Sequence, residues 1–503
     1  MASVSRNKMT SEQIAFPAQI KSDLPSDGDD RSYHFLTGGT GLLGGYLLRD
    51  LLAQGLRLAV LVRPAKKESV QQRVETILVR HERKTGLVLP RPVVVEGDLT
   101  EGTWRQHWTD WLSRHCRSVI HCGASLTFYG DKNSEPWMTN IEGTRQVLEL
   151  CRTAGIRSLH HFSTAYIAGS YRDKFHEEML DVGQELRNDY ERSKFESEKM
   201  VREADFIDQL TVYRPSIVVG DSVTYETTTY HGYYAVLKLA HTLVNRLRLG
   251  DTSGRRLLAA LGMTGEEYKN FVPVDWVSAV FTQIFTHPEN HGKTYHLTNP
   301  SPTSILEMVD TIQQLVEQHS ELAGETDSFR MSEEWFKENY AASVATYKDY
   351  LNNDPLFLCD NVLAAAPNLI CPKVDTKMMY DMGQFAIRNN FGKRSPKSGK
   401  SDVDVGYVDV GRLVRQVAKG VTKVNGNLCG TRRIALRASG PGGGEWTFFV
   451  GQDGYFYEDG IGNDCHDHIE LSVVELISLI QGNAKLTRRF SPEVAHLLDT
   501  FSM

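Results

Sequence analysis

From Tyr33 onward, short apolar runs alternate with amphipathic stretches, after a polar leader over residues 1–31 that contains no signal-peptide core. Residues 33–36 read as a strand, followed by a glycine-rich turn and a helix over 46–54. Residues 58–62, 93–96 and 118–121 repeat the strand signal. A helix around 144–153 leads to a strand at 159–162, and Val212-Tyr213 opens another. Strands alternating with helices predict an α/β fold, a doubly wound parallel sheet covered on both faces. Beyond about Asp221 helical periodicity dominates, with 271–276 and 294–297 expected to return to the sheet region.

The pattern breaks at 392–401, GKRSPKSGKS, whose cationic Gly/Ser/Pro composition suits a flexible linker. Past it, 410–423 reads as helix, 434–437, 446–450 and 455–457 as strands between glycine turns, and 471–480 as helix. The expected organisation is therefore a disordered leader (1–31), a large α/β domain (32–391, with 222–391 mainly a separate helical region), a linker (392–403) and a small α+β domain (404–503).

Composition narrows the classes. The chain has 503 residues, 41% of them apolar, enough for two to four cores. Its 56 basic against 63 acidic residues leave a net charge of −7, so no basic excess points to nucleic acid. Seven scattered cysteines without a Cys-x-x-Cys pair read as reduced thiols. No stretch approaches the ~18 consecutive apolar residues of a spanning helix, so a soluble, cytoplasmic protein is expected.

The first turn reads Thr37-Gly38-Gly39-Thr40-Gly41-Leu42-Leu43-Gly44. Glycines at 38, 41 and 44 let the backbone turn sharply, approach a pyrophosphate and pack the helix on the sheet, as in a Rossmann-type site. After the second strand stand Arg63, Lys66 and Lys67, where an acidic residue would read a ribose 2′-hydroxyl. A cation favours a 2′-phosphate, hence NADP(H) over NAD(H). Asp98-Leu99 is placed to touch the adenine, and Cys122-Gly123-Ala124 the cofactor's middle.

Ser163-Thr164 ends a strand, and Tyr190 precedes Lys194 by four residues on one helix face. A phenol with its ordinary pKa near 10 is a poor acid-base catalyst at neutral pH unless its anion is stabilised. Lys194 supplies that charge, and Thr164 a hydroxyl for the reacting oxygen.

TGGTGLLG at 37–44, FSTAYIAG at 162–169, YERSKFESE at 190–198, YRPSIVVGDS at 213–222, FVPVDWV at 271–277 and DPLFLCDNVLAAAP at 354–367 carry a resemblance over about 33–391. The region resembles the extended short-chain dehydrogenase/reductases, and within them the thioester reductase and fatty acyl-CoA reductase branch. The resemblance implies Thr164, Tyr190 and Lys194 as catalytic residues, with Ser163 the alternative hydroxyl. It implies a cofactor set of Thr37, Gly38, Thr40, Gly41, Leu42, Leu43, Gly44, Arg63, Asp98, Leu99, Cys122, Gly123, Ala124, Ser163, Tyr190, Lys194, Pro215 and Ile217. Sugar dehydratases of this fold carry Asp-Glu after the catalytic Thr, where this chain has Ala165-Tyr166. Epimerases share the Tyr, Lys and hydroxyl. The segment 225–239, rich in Tyr and apolar residues, suits either an acyl chain or plain core packing; His231 within it reads as structural.

The stretch 406–501 resembles a sterol carrier protein 2-like α+β fold, which implies a lipid ligand; a cap or self-association domain is the other reading. Asp464, Cys465, His466, Asp467 and His468 hold metal-ligand types, but without a second cluster they read as a polar loop, and no metal is expected. The expected activity is NADPH-dependent reduction of acyl thioesters, on coenzyme A or a carrier protein, to aldehyde or alcohol. The rivals are a hydroxysteroid- or sugar-nucleotide-type dehydrogenase or epimerase, and a non-catalytic lipid-binding scaffold. Chain length, carrier, the number of hydrides and oligomeric state stay open.

Overall fold

The computed structural model describes residues 31–247, 258, 263–319, 353–393, 410–411, 414, 432–451 and 454–480. Most of the expected leader and linker lies outside the described residues, as does most of the expected helix at 410–423, of which 410, 411 and 414 are helical.

In chain order the first half runs β1 (Tyr33–Thr37), α1 (Leu42–Ala53), β2 (Arg57–Val62), α2 (Val70–Thr85), β3 (Val93–Glu96), α3 (Thr103–His115), β4 (Cys116–His121), α4 (Gly143–Ala154) and β5 (Ser158–Phe162). Then come β6 (Lys174–Phe175), α5 (Asp189–Arg202), β7 (Gln209–Pro215), β8 (Ile217–Val219), α6 (Tyr233–Leu247), β9 (Tyr268–Lys269), β10 (Phe271–Pro273) and β11 (Thr294–Leu297). Seven strands form one sheet in the order β11-β7-β5-β4-β1-β2-β3, every pairing parallel. The order reverses between β1 and β4, so the crevice at their carboxyl ends is where an open α/β sheet takes its ligand.

Period-2 burial explains the two-layer covering. Leu36, Leu58, Val60, Val62 and Ile120 pack one face with the helix Val274–Phe285. Phe35, Ala59, Leu61, Val93, Val95 and Val119 pack the other, with Trp104, Trp111 and Leu112 of α3. Both faces are apolar, hence the near-continuous apolar runs of the strands.

The structure differs from the sequence expectations at several element ends. Helix α1 begins at Leu42 rather than 46, because Gly41 closes the turn and Gly44-Gly45 pack inside the helix. Residues 271–276 do not return to the main sheet. Only Phe271–Pro273 is extended, paired with β8 in a separate ribbon, and helix begins at Val274 once Pro273 has ended the ladder. The segment 225–239 divides: Tyr233, Tyr234 and Leu237 are core residues of the substrate region, whereas Thr229, His231 and Gly232 line the cavity.

After the short strands β12 (Thr303–Ser304) and β13 (Leu356–Phe357) comes the C-terminal unit: β14 (Arg432–Ser439), β15 (Gly444–Gly451), β16 (Gly454–Asp459) and β17 (Asp467–Ser472), with a helix at Val473–Ile480. Its sheet order is β16-β15-β14-β17, with β17 parallel to β14. Residues 471–472 belong to β17, not to the helix. Ser472 and Glu475 exchange side-chain and backbone hydrogen bonds in a capping box that starts the helix at Val473.

Candidate active site

The crevice is built first by backbone. Gly38 sits at φ +76°, and a Cβ there would stand 2.6 Å from the Gly123 nitrogen at the end of β4. A Cβ on Gly44 would meet the Gly38 carbonyl oxygen at 2.0 Å. Both glycines are therefore demanded by contact. Helix α1 starts without a side-chain cap and with no acid in its first turn, leaving free N–H groups directed at the crevice. The Thr37 hydroxyl ties the two strand ends, accepting from Gly123 N at 3.2 Å and meeting His121 Nδ1 at 2.8 Å. Burial holds His121 near pKa 3, so its ring is neutral.

Every residue expected to bind cofactor or to catalyse lines one cavity of about 890 Å3, running from the glycine turn past the end of β4 to Pro215 and Ile217. That size suits an organic cofactor and part of a substrate. Its cradle of contact-forced glycines and open helix terminus fits a dinucleotide pyrophosphate.

At the adenosine end Arg63 is 70% exposed and lies 3.8 Å from Asp98. A second guanidinium, missed in the sequence, stands beside it. Arg73 of α2 donates to the Arg63 carbonyl at 2.5 Å and to the Thr40 hydroxyl at 3.0 Å. The signal was available, since Arg73 lies one turn into a helix whose capping box is Ser69-x-x-Gln72. Lys66 and Lys67 do not line the cavity.

Helix α5 carries the reacting end. Asn188 caps it, accepting from Glu191 N at 2.9 Å, with acids in the first turn and Lys199 and Arg202 in the last. The Phe128 carbonyl, after β4, accepts from Asp189 and Tyr190 N–H groups and so fixes where the helix begins. Tyr190 and Lys194 then face the cavity one turn apart. Burial pushes the Tyr190 phenol up to about 12, although a hydrogen bond with Thr164 opposes that. Burial brings the Lys194 ammonium down to about 8, against the pull of Cys122 and Glu198. Lys194 Nζ donates to the Phe162 carbonyl at 2.6 Å, at the end of β5. Thr164 and Ser163 both line the cavity; the Thr164 hydroxyl donates to the Pro215 carbonyl at 3.4 Å and accepts from Tyr166 N at 3.3 Å, whereas Ser163 Oγ is buried without a hydrogen-bond partner among the described residues.

Several supports carry no local sequence signature. Asn140, in a single π-helical turn at Met138–Glu142, donates to Ser193 Oγ at 2.9 Å and to the Ser125 carbonyl at 3.1 Å. It thereby links the loop after β4 to α5, beside Lys194; π-turns of this kind gather at functional sites. Glu198, one turn beyond Lys194, pairs with fully buried Arg214 of β7 at 2.6 Å. His231 does line the cavity, and burial lowers its pKa. In the C-terminal loop Asp464 pairs with Arg433 and Asp467 with Arg432.

Comparison with known proteins follows the same region. Residues 36–281 match the model of the family described as male sterility protein, an NAD-binding domain. A nonribosomal peptide synthetase of Aspergillus flavus is 26% identical over 77% of this chain, and an L-2-aminoadipate reductase of Schizosaccharomyces pombe 26% over 54%. This chain spans only 36% and 19% of those relatives. Among solved structures, the terminal R domain of the myxalamid pathway superposes with TM-score 0.55 at 22% identity, covering 72% of this chain and 92% of that one. The UDP-glucose 4-epimerase of Bifidobacterium longum, in complex with NAD+ and UDP, reaches 0.50 at 16% identity, covering 72% of this chain and all of that one. The fold is thus common to reductase domains and epimerases, and no described helix is long and apolar enough to cross a membrane. The family match thus falls on the domain that holds the glycine turn and the Tyr190/Lys194 pair, and that domain has a Rossmann-type fold.

Proposed function

We propose that the chain reduces acyl thioesters with NADPH, the acyl group being carried on a phosphopantetheine arm of a carrier protein or of coenzyme A. The observation that carries this reading is that Thr164, Tyr190 and Lys194 line the same cavity as the glycine turn, with Lys194 one helical turn from Tyr190. The match to the male sterility family and the likeness to a thiolation-reductase di-domain (TM-score 0.53, 17% identity, 72% of this chain and 76% of that one) support the substrate class.

NADPH, when bound, supplies the hydride. The turn at 37–44 and the amino end of α1 would hold its pyrophosphate, Arg63 and Arg73 its 2′-phosphate, and Lys194 its ribose hydroxyls. Thr164 and Tyr190 donate hydrogen bonds to the thioester carbonyl oxygen, stabilising the charge that develops there as hydride reaches the carbonyl carbon. The thiolate departs when the C–S bond breaks, leaving an aldehyde. A second hydride would give the alcohol, with Tyr190 protonating the alkoxide. Tyr190 stays protonated through the neutral range, the state a donor needs.

NADPH oxidation tested against acyl-pantetheine thioesters, free aldehydes, sterols and UDP-sugars decides between this reading and its rivals. Thioester-dependent oxidation with release of free thiol is expected. Turnover of a sterol or sugar nucleotide alone would replace the reading by a dehydrogenase or epimerase.

The C-terminal strand order, three antiparallel strands and a crossover to a fourth parallel to the first, supports a sterol carrier protein 2-like reading of that unit. For its role we favour the cap over the lipid carrier. The apolar face of its sheet is already packed by Val410, Val414, Leu476 and Leu479, and the unit reaches the dinucleotide domain through Glu445 and the Ile461 backbone, both bonded to Tyr33.

A further inference from the structure

Thr164 serves a reacting oxygen only if its proton is aimed there. Its hydroxyl accepts from Tyr166 N at 3.3 Å, which fills a lone pair and turns the proton toward the Pro215 carbonyl. That carbonyl is 3.4 Å away and lines the same cavity, and so long a bond is readily exchanged for one to a substrate oxygen. The aim of the hydroxyl therefore depends on where the Tyr166 backbone sits, in the single 3₁₀ turn Ala165–Ala168 that Thr164 caps.

A turn this short has few bonds of its own, and a side chain holds it in place. The Tyr166 hydroxyl donates at 2.7 Å to Oδ2 of Asp354, 188 residues further along the chain. Asp354 is itself fixed. Oδ2 accepts from Asn270 N at 2.9 Å, Oδ1 from Lys269 Nζ at 2.5 Å, and the Asp354 N–H donates to the Tyr268 carbonyl at 3.2 Å. Its side chain is 3% exposed. The Tyr166 ring also lies 5.7 Å from the Arg187 guanidinium, and Arg187 Nε donates at 3.0 Å to Glu191, the neighbour of Tyr190. Tyr166 thus meets both the turn that carries Thr164 and the start of α5, which carries Tyr190. Tyr166 and Lys269 line the cavity; Asp354 is not among the described residues that do.

We propose that Asp354 is a positioning residue for the reduction: by gripping Tyr166 from the substrate region, it sets the aim of the Thr164 hydroxyl relative to Tyr190. The inference rests on the reading that makes Thr164 and Tyr190 donors to the reacting oxygen, not on which carbonyl they serve. Donors stabilise developing charge only when aimed at the place the oxyanion will occupy. Misplacing such a group by ~1 Å costs about 10²-fold in rate.

The test is single-turnover reduction of an acyl-pantetheine thioester by the full-length protein. Tyr166→Phe deletes the anchoring hydroxyl and leaves the Lys269–Asp354 pair in place; Asp354→Asn keeps the shape and removes the charge. Each should slow the hydride step about 10–100-fold, with KM and NADPH affinity within about threefold of the wild type. Thr164→Val alone should lose about 10²–10³-fold, the usual cost of one oxyanion donor. Added to Thr164→Val, either change should cost less than about twofold more, because the hydroxyl it aims is gone. Equal losses in both backgrounds, the mark of a merely structural role, would overturn the inference, as would full activity in Tyr166→Phe. Should Asp354→Asn fail to fold once Lys269 has lost its carboxylate, Tyr166→Phe decides, since it breaks the same bond from the other side. If the wild type turned over a sterol or sugar nucleotide and no thioester, the thioester reading would fall, and the same ratios on that substrate would decide the inference. Turnover of none of them with NADPH bound, or Thr164→Val as fast as the wild type, would overturn both.

Discussion

Tyr190 and Lys194 are four residues apart in the sequence, and this much of the site can be read from spacing alone. Their titration cannot, because it depends on burial. The cavity raises the phenol to about 12 and lowers the ammonium to about 8, so near neutrality a protonated donor stands beside a cation that is readily lost. Tyr190→Phe should leave NADPH affinity within about threefold and reduce turnover by 10²–10⁴-fold, the usual worth of a general acid, as single-turnover kinetics would show. As pH rises through about 8, Lys194 loses its proton, the phenol becomes a weaker acid and reduction should slow along a one-proton limb. Lys194→Arg, slower overall, should lack that limb, because a guanidinium stays charged. At the other end of the cavity, the basic residue after β2 was legible as Arg63, but its partner Arg73 comes from the next helix. Arg73→Gln should weaken NADPH about 10–100-fold and NADH little, the loss expected for a hydrogen bond to a charged group. Equal losses for the two cofactors, measured by fluorescence titration, would remove Arg73 from 2′-phosphate recognition.

Elements were legible where apolar periodicity was strong and short-ranged. The strand at Val93–Glu96 falls where expected, and β1, β2, β4 and β5 differ by one or two residues at their ends. Helix starts were less legible, since they are decided by caps and turns: Gly41 for α1, Asn188 for α5, Ser472 for the last described helix. Hidden altogether was what holds α5 at the correct height. Burial alone would raise the Glu198 carboxyl, yet Arg214 and Arg202 more than reverse it and bring it to about 2. The charge is therefore kept for the Arg214 pair, and Lys194 sits one turn away on the same helix face. Against an unperturbed value of 4.5, the depressed pKa means Glu198 contributes stability that is complete above about pH 4.5 and lost as pH falls toward 2. Glu198→Gln leaves the Arg214 guanidinium buried without its carboxylate, which typically costs about 3–5 kcal/mol. The variant should melt earlier at pH 7 and lose less stability than the wild type on acidification from pH 4.5, as paired denaturant titrations at the two pH values would show.

At the scale of the whole molecule, composition divides the chain into a large α/β part and a small α+β part, but gives no indication of how they meet. Contacts between parts distant in sequence leave no periodic trace. The C-terminal unit is seated at the amino ends of the strands. The Tyr33 hydroxyl, at the start of β1, donates to Glu445 at 2.6 Å and accepts from Ile461 N at 2.7 Å. Arg57, at the start of β2, reaches the Ile461 carbonyl, while Trp111 and Arg114 of α3 bond to Asp459 and Glu458. Tyr33 is 1% exposed and Glu445 5%. The cofactor crevice opens at the other end of the same strands, at Thr37, about 13 Å further along β1 at 3.3 Å per residue. A unit in this seat cannot hand a lipid directly into the cavity, whereas it can cover Tyr33 and Trp111, apolar groups that the dinucleotide domain would otherwise present to water. Tethering and docking therefore predict different behaviour. With a protease site inserted between Lys397 and Ser398, cleavage should leave the two fragments together on size exclusion at micromolar concentration, with reductase activity retained. Tyr33→Phe combined with Glu445→Ala removes the buried hydrogen bond from both sides and leaves the Ile461 N–H unmatched. The cleaved double variant should then dissociate, and its large fragment should melt several degrees below the uncut chain. Immediate separation of the cleaved wild type into two stable pieces would mean that the linker, not this contact, holds the unit in place.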